Sequence, residues 1–576
     1  MSFNLLIFLI YNMELTTKEI MAIKPYIEIC KKKGRVSQYI LVRKKRIDGK
    51  VKRVWSKYLG TAKTIEKFYN DCEEHTSLKF KSFEYGRTAA LMKIAKELNF
   101  VEIVNKHTTK KKMNGLTVGE YMLLIILSRA DNPVSKNGIA EWFDESFMSL
   151  IWSFQHKLNT KNFTNHMDYL TDEAMRKIED DIGSKIVEGG VKPTKLFIDM
   201  SNIFTYIENG GKLPKKGRGK EKRYDKNIIG VGIATSNENI PVLHESYPGN
   251  KHDSQVFSEI FMKIVDRLNK INVPCKGIVA VWDKGCNSEE NIEMVKNSDM
   301  NIVGALRKDQ VPELYNVPLE KYDYLYTNKK KYEVKGYRTK KMVFGQEFTI
   351  VMSYNGGSYK KQSETYEKRK VEIIKELEKI KQSVERDGRG KKKGIKNALI
   401  GASKVVRNYE SAFKYECYVK DNKQVFEYSV DADGEKEMRA TFGKNPIFTD
   451  KHDWDSEKIV KTYTQKDFVE KDFMWLKNTL LIPIKPIYLR DDDHIKVHIF
   501  LCVMGLIFYR YLMWKLKKQN ETLSDTTVIG KLEKIRAMLA KRDDEPVTIK
   551  YEEMDLSQMR LFNTLGLGDV LKDVNF

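Results

Sequence analysis

The chain has 576 residues, 41% of them hydrophobic and 31% charged, which excludes one small domain and fits a soluble protein of three or four domains. Lys and Arg number 102 against 79 Asp and Glu, a formal net charge of +23; that surplus suits a polyanionic partner such as nucleic acid, or a lysine-rich solvated surface. Six scattered cysteines (Cys30, Cys72, Cys275, Cys286, Cys417, Cys502) and no CxxC pair argue against a zinc finger or a disulfide framework and fit a reducing cytosol.

The first apolar run, FNLLIFLIY at 3–11, is too short to span a bilayer and lacks a basic flank and a cleavage site; Met13 opens a more ordinary start. Residues 38–60, QYILVRKKRIDGKVKRVWSKYLG, interleave apolar and basic positions around Asp48-Gly49. That pattern predicts a hairpin, and its Arg43, Arg46 and Arg53 are candidates for contacts along a DNA backbone. A solvated two-stranded flap is the alternative. We set 14–83 apart as this basic hairpin region. From 84 to 190 the spacing is helical and forms a candidate DNA-binding region.

From 195 the texture changes to short apolar runs. KLFIDM reads as a strand ending near Asp199, followed by strands at 227–235 and 241–247, a helix at 253–269, a strand at 276–283 ending on Asp283, a helix at 288–297 and a strand at 301–307. The order β-β-β-α-β-α-β predicts an α/β mixed sheet with helices packed around it. Residues 210–223 are a polar, basic loop beside the first carboxylate. Residues 311–449 lose the rhythm: strand-like pieces at 330–339 and 345–353, a charged helix near 365–386, a break at 387–394, a further helical stretch at 395–409, and strand-like segments at 413–419 and 424–430. They read as an insertion with β-rich parts. The apolar stretch 499–512 contains Arg510 and predicts a buried core helix. Residues 516–576 read as a tail.

Two aspartates at strand ends in one sheet place carboxylates where loops form a site, although each alone suits a cap or a turn. Converging carboxylates hold Mg²⁺ well, because hard divalent ions prefer oxygen. In KIVKTYTQKDFVEKDFMWLKNTLL, Tyr463, Lys466, Glu470 and Lys477 are spaced by three, four and seven residues, which predicts one helix face carrying a carboxylate, two cations and a phenol. That face suits a phosphate chain, or is a surface helix laced by pairs such as Lys466–Glu470.

Here the chain resembles the DDE transposases of bacterial or archaeal insertion sequences, the large group whose third catalytic region carries a Tyr-x2-Arg-x3-Glu-x6-Lys signature. It stands here as YTQKDFVEKDFMWLK. Lys466 takes the place of the usual Arg, keeping a cation but losing its bidentate fork. KLFIDMSNIFTY, VAVWDKGCNSEENIE and the intervening YPGNKHDS resemble the family's other regions, as do 38–60, LSRADNPVSKNGIAEWF, and the stretch 492–509. The resemblance runs from about residue 34 to 510. It implies a ribonuclease-H-like catalytic domain over 191–310 and 450–515, interrupted by the 311–449 insertion. It further implies two Mg²⁺ (or Mn²⁺) ions held by Asp199, Asp283 and Glu470, with Tyr463, Lys466 and Lys477 on DNA. The expected activity is cleavage at element ends and strand transfer, acting on double-stranded DNA with terminal inverted repeats and on target DNA. A homodimer in the synaptic complex, no membrane partner and a cytoplasmic, nucleoid-associated location complete the expectation. A nuclease without strand transfer and a non-catalytic DNA-binding descendant are the alternatives.

Asp450, ending PIFTD at 446–450, competes with Glu470 for the third position. Asp225, Asp253 and His252 also lie near sheet elements, and His494 with His498 has i,i+4 spacing but no evident third ligand.

Overall fold

The computed structural model describes residues 23–30, 38–47, 49–73, 79–109, 115–152, 158–208, 211–217, 219–220, 223–386, 393–478, 481–541 and 548–571. The 3–11 run, Met13 and Asp48 lie outside them. The chain forms two units: residues to Ala174 with 479–483 and those from Ile507, and residues Met175–Asn478 with Ile484–Leu506.

In the first unit Gln38–Ile47 (β2) and Lys50–Thr61 (β3) pair antiparallel, with Ile47 opposite Lys50. Gly49, just ahead of β3, adopts φ +75°, a conformation that favours glycine. A third strand, Tyr26–Cys30 (β1), adds to β2. Helices follow in the chain at Gly86–Glu97, Phe100–His107, Val118–Asp131, Ile139–Glu145 and Thr160–Met167. VGEYMLLIILSRAD is apolar nearly all round, so its helix is buried almost throughout, and Thr117 with Glu120 closes its start as a capping box. Residues read as a tail supply a helix at Asp525–Leu532 and strands Arg536–Lys541 and Thr548–Tyr551, the former paired with Lys79–Glu84 (β4).

The second unit is built on one mixed sheet. Its members are Lys195–Thr205 (β5), Lys215–Lys216 (β6), Asn227–Ser236 (β7), Pro241–Pro248 (β8), Val279–Trp282 (β9), Asn301–Ala305 (β10), Asp323–Thr327 (β11), Glu333–Val343 (β12) and Gln346–Asn355 (β13). Two further antiparallel strands, Phe413–Lys420 (β14) and Lys423–Val430 (β15), form a separate hairpin, and Lys444–Thr449 (β16) returns to the sheet. The spatial order is β11-β12-β13-β16-β10-β9-β5-β7-β6, with β8 on β7. Among the described residues, only the β10–β9 and β9–β5 pairs are parallel.

Alternation along β5 gives its two faces different partners. Leu196, Ile198 and Met200 share a core with Val256, Phe257, Ile260, Phe261 and Ile264 of the Asp253–Lys270 helix, whose buried residues recur at three- and four-residue steps. On the other face, Phe197 meets Phe468 edge-on at 5.7 Å, and the Asp467–Lys477 helix buries Val469, Phe473 and Leu476. Each such side chain contributes about 1.5–3 kcal/mol. Asp472 of that helix is fully buried and accepts a hydrogen bond from Thr235 Oγ1 at 2.6 Å, which offsets part of the cost of burying its charge.

The segment expected to be an insertion divides in two. β11, β12 and β13 extend the same sheet, because β16 pairs with β13 on one side and β10 on the other. The helices Gly356–Glu385 and Ile395–Val406 and the β14–β15 hairpin surround their own core of Tyr366, Ile373, Leu377, Ala402 and Phe426. The Asp492–Lys518 helix is long and apolar enough to cross a membrane by length and composition, and its apolar window is wholly buried inside the protein, as in a core helix.

Candidate active site

Ile198 of β5 is the register partner of Trp282 of β9. The next residues, Asp199 and Asp283, therefore emerge side by side, since parallel neighbours lie about 4.8 Å apart. β5 does not end at Asp199. It continues to Thr205, supported by β7 along its whole length, while β9 stops at Trp282. Asp199 thus sits where one neighbour ends and the other runs on.

Asp283 also caps the short turn Lys284–Cys286, accepting from the Lys284 N–H at 2.9 Å. Trp282 Nε1 donates to Asn287 at 2.8 Å and Asn287 donates to the Ala305 carbonyl at 2.8 Å, which fixes the exit from β9. The cap and the candidate site position therefore fall on the same carboxylate.

The third region is two helices rather than one. Ser456–Thr464 ends, and Asp467–Lys477 begins, across a turn at Gln465–Lys466, tightened by Lys466 N–Tyr463 O (3.1 Å) and Phe468 N–Gln465 O (2.9 Å) bonds. The four expected residues therefore do not share one regular helix face, yet each has a place near the aspartates. The Tyr463 hydroxyl donates to Asp283 Oδ1 at 3.4 Å. Lys466 Nζ stands 3.3 Å from Glu470 Oε1 and 3.8 Å from Asp283 Oδ2. Lys477 Nζ donates to Ser201 Oγ at 2.8 Å, two residues along β5 from Asp199 and on the same strand face.

The electrostatics follow this geometry. Burial raises the Asp199 carboxyl above its ordinary range, against the pull of the Lys220 and Lys466 ammonium groups, and the Asp283 charge adds to the rise. Burial draws Lys466 down, but the Asp283, Asp199 and Glu470 carboxylates outweigh it and leave the ammonium firmer than usual. Tyr463 is held as a neutral phenol by burial and by the charges of Asp283 and Glu470. Beneath the aspartates, the Cys286 thiol is pushed up to about 12 by burial, Asp253, Asp199 and Asp283. The Tyr247 ring lies across Gly230, where a Cβ would come within 2.0 Å of it, and its hydroxyl reaches Asp253 Oδ1 at 3.4 Å.

Lys220 is a site neighbour that motif reasoning passes over. Its ammonium donates to the Met200 carbonyl and lies 3.6 Å from Asp253. The signal was the basic loop 210–223, but which of its cations reaches Asp199 depends on folding.

The rival carboxylates are occupied elsewhere. Asp450 Oδ1 accepts from the Ile302 N–H at 2.8 Å and Oδ2 from Asn301 at 3.3 Å. Because β16 is antiparallel to β10, and β10 parallel to β9, Asp450 sits at the end of the sheet opposite Asp283. Asp225 is exposed and bound by Arg223 through two 3.0 Å contacts. His252 caps the Asp253–Lys270 helix, and His498 Nε2 lies 2.9 Å from the Ile484 carbonyl.

In the first unit, Arg53 and Lys44 pair with Glu28. Arg43 reaches the Ile23 carbonyl and lies 5.4 Å over the Trp55 ring, and Arg46 is exposed. The carboxylates belong to the other unit.

All three candidate donors are carboxylates, a set whose chemistry fits Mg²⁺ or Mn²⁺. Among the described residues no three His, Cys, Asp or Glu side chains stand close enough together to hold a metal; Lys466 links Asp283 to Glu470 instead. No protein-family model matches the chain, and no curated protein matches it in sequence.

Proposed function

We propose that the chain is a DDE-type DNA transposase with a ribonuclease-H-like catalytic domain. The observation that carries this reading is the placement of Asp199 beside Asp283 on adjacent parallel strands, with Glu470 tied to Asp283 through Lys466. The sheet core β8-β7-β5-β9-β10, antiparallel strands followed by two parallel ones, supports the fold assignment, and the resemblance of the three catalytic regions supports the activity.

Asp199, Asp283 and Glu470 are the residues to hold divalent cations. When bound, Mg²⁺ supplies activation of a water or a 3′-hydroxyl and charge stabilisation of the departing phosphodiester oxygen. Lys466, between Asp283 and Glu470, and Lys477, beside Ser201, are the candidates to orient backbone phosphates, and the neutral Tyr463 phenol the candidate to donate a hydrogen bond there. Lys466 offers a point charge where the family signature has a planar fork. The same reading takes duplex DNA with terminal inverted repeats as substrate, a second DNA as target, a homodimer to bring two ends together, and a cytoplasmic, nucleoid-associated setting. Arg43, Arg46 and Arg53 are its further candidates for DNA contact.

The test is incubation of the full chain with Mg²⁺ and DNA carrying the sequences that flank its gene. Cleavage at repeat ends followed by joining to a second DNA is expected. Cleavage without joining would leave a nuclease, and binding with neither would leave a DNA-binding protein.

A further inference from the structure

Beyond the point where β9 ends at Trp282, the face of β5 opposite Asp199 carries a strip of cations and rings at Asn202, Phe204 and the following Tyr206. Lys220 sits against its nearer part, with its N–H on Asn202 Oδ1 at 2.8 Å and its ammonium on the Met200 carbonyl. Arg223 lies 5.1 Å over the Phe204 ring, and Lys226 lies 5.2 Å over the Tyr206 ring. Three cations spaced every third residue thus meet β5 successively further from the carboxylates, over roughly 20 Å from Met200 to Tyr206. Lys485 adds a fourth, 4.3 Å over Phe204. Three such contacts thus fall on two rings two residues apart.

Of the two rings, Phe204 is half-buried and Tyr206 is 60% exposed, so the outer ring is open to a ligand. The nearby acids do not close the strip. Asp225 engages Arg223 at 3.0 Å and Lys226 at 3.9 Å, but exposed pairs are worth little, and a phosphate can replace a carboxylate there. A cationic track with interleaved aromatic faces is the arrangement that binds single-stranded nucleic acid, phosphates on the cations and bases on the rings.

We propose that this strip binds an unpaired DNA strand that leaves the carboxylate site past the end of β9 and continues on the other face of β5, with its phosphates along Lys220, Arg223 and Lys226 and a base stacked on Tyr206. The proposal rests on the reading of the carboxylates as a DNA-cutting site, and it adds that the strand is held unpaired beyond them.

The test is fluorescence anisotropy of the full chain with a 5′-labelled single-stranded 20-nucleotide DNA and the matching duplex, with Ca²⁺ in place of Mg²⁺ so that binding is read without turnover. Tyr206→Ala is expected to weaken single-strand binding by roughly ten- to a hundredfold, the worth of one base stack, with a smaller effect on the duplex. Tyr206→Phe keeps the ring and is expected to bind as wild type, which separates stacking from a folding defect. Lys226→Gln is expected to lower the salt dependence of single-strand binding by about 0.7 of a log unit per log unit of salt, one phosphate contact. Tyr206→Ala binding the single strand as tightly as wild type would overturn the proposal. If the wild type cleaves DNA in Mg²⁺ while that variant binds normally, the strip alone is refuted. If single-strand binding depends on Tyr206 but the wild type never cleaves, the strip stands and the catalytic reading falls.

Discussion

Ile198 and Trp282 are paired across β5 and β9, and this one register sets Asp199 beside Asp283. Around that pair the third carboxylate, Glu470, is joined through an ammonium group, Lys466 Nζ, at 3.3 Å. Lys466 Nζ also lies 3.8 Å from Asp283, so the lysine is the chain's own counter-charge between these two carboxylates.

Lys466 therefore competes with any divalent cation for the same oxygens. In Lys466→Met the competitor is gone, so Mg²⁺ or Mn²⁺ binding measured by titration calorimetry should be tighter than in wild type, while DNA cleavage falls because a phosphate contact is lost. Unchanged or weaker ion binding in the Met variant would mean that the three carboxylates do not act as a metal site.

Asp450 offers a control on the identity of the third acid. Its carboxylate accepts the Ile302 N–H, so Asp450→Ala should cost about 1–3 kcal/mol in a denaturant melt, the value of an unsatisfied buried donor, and leave cleavage intact per folded molecule. Asp450→Asn keeps an acceptor and should be milder. Loss of cleavage in a fully stable Asp450→Asn protein would transfer the third role from Glu470 to Asp450.

A buried ion network away from the site gives a pH prediction. Glu179 receives Arg267 Nη2 at 2.7 Å and contacts His244, while Arg267 also pairs with Asp180. Burial alone would raise the Glu179 carboxyl, but His244 and Arg267 hold it down to about 2, from an ordinary 4.5. A depressed acid stabilises the fold above its unfolded value, and that contribution drains away as pH falls through the folded one. Wild type should thus exceed Glu179→Gln in unfolding free energy, read by denaturant melts above about pH 4.5, by the about 3–5 kcal/mol typical of breaking a buried pair, and the gap should narrow towards pH 2. A gap that stays constant across that window would show that Glu179 is not held ionised by these partners.

What the sequence makes legible here is local. KLFIDM and VAVWD announce buried strands ending in acids, because unbroken apolar runs of that length have few other uses. The continuation of β5 to Thr205 is hidden, since Ser201 and Asn202 dilute the run and the strand persists only because β7 pairs with all of it. The turn at Gln465–Lys466 is likewise hidden, with no Gly or Pro to mark it and a helical spacing that reads straight through. Asp450 looks equivalent to Asp283 in sequence, each closing an apolar strand, and only the opposed directions of β16 and β9 put them at opposite ends of the sheet. The track of Lys220, Arg223 and Lys226 along β5 depends on distant segments meeting, and no local pattern encodes that.

The decisive measurement is Mg²⁺-dependent cleavage of duplex DNA ends by wild type, Asp199→Asn, Asp283→Asn and Glu470→Gln, with DNA binding followed in the same samples. Each substitution is expected to reduce cleavage by roughly a thousandfold or more while binding persists. Cleavage that survives in any one of the three, at full binding, would contradict the proposed function.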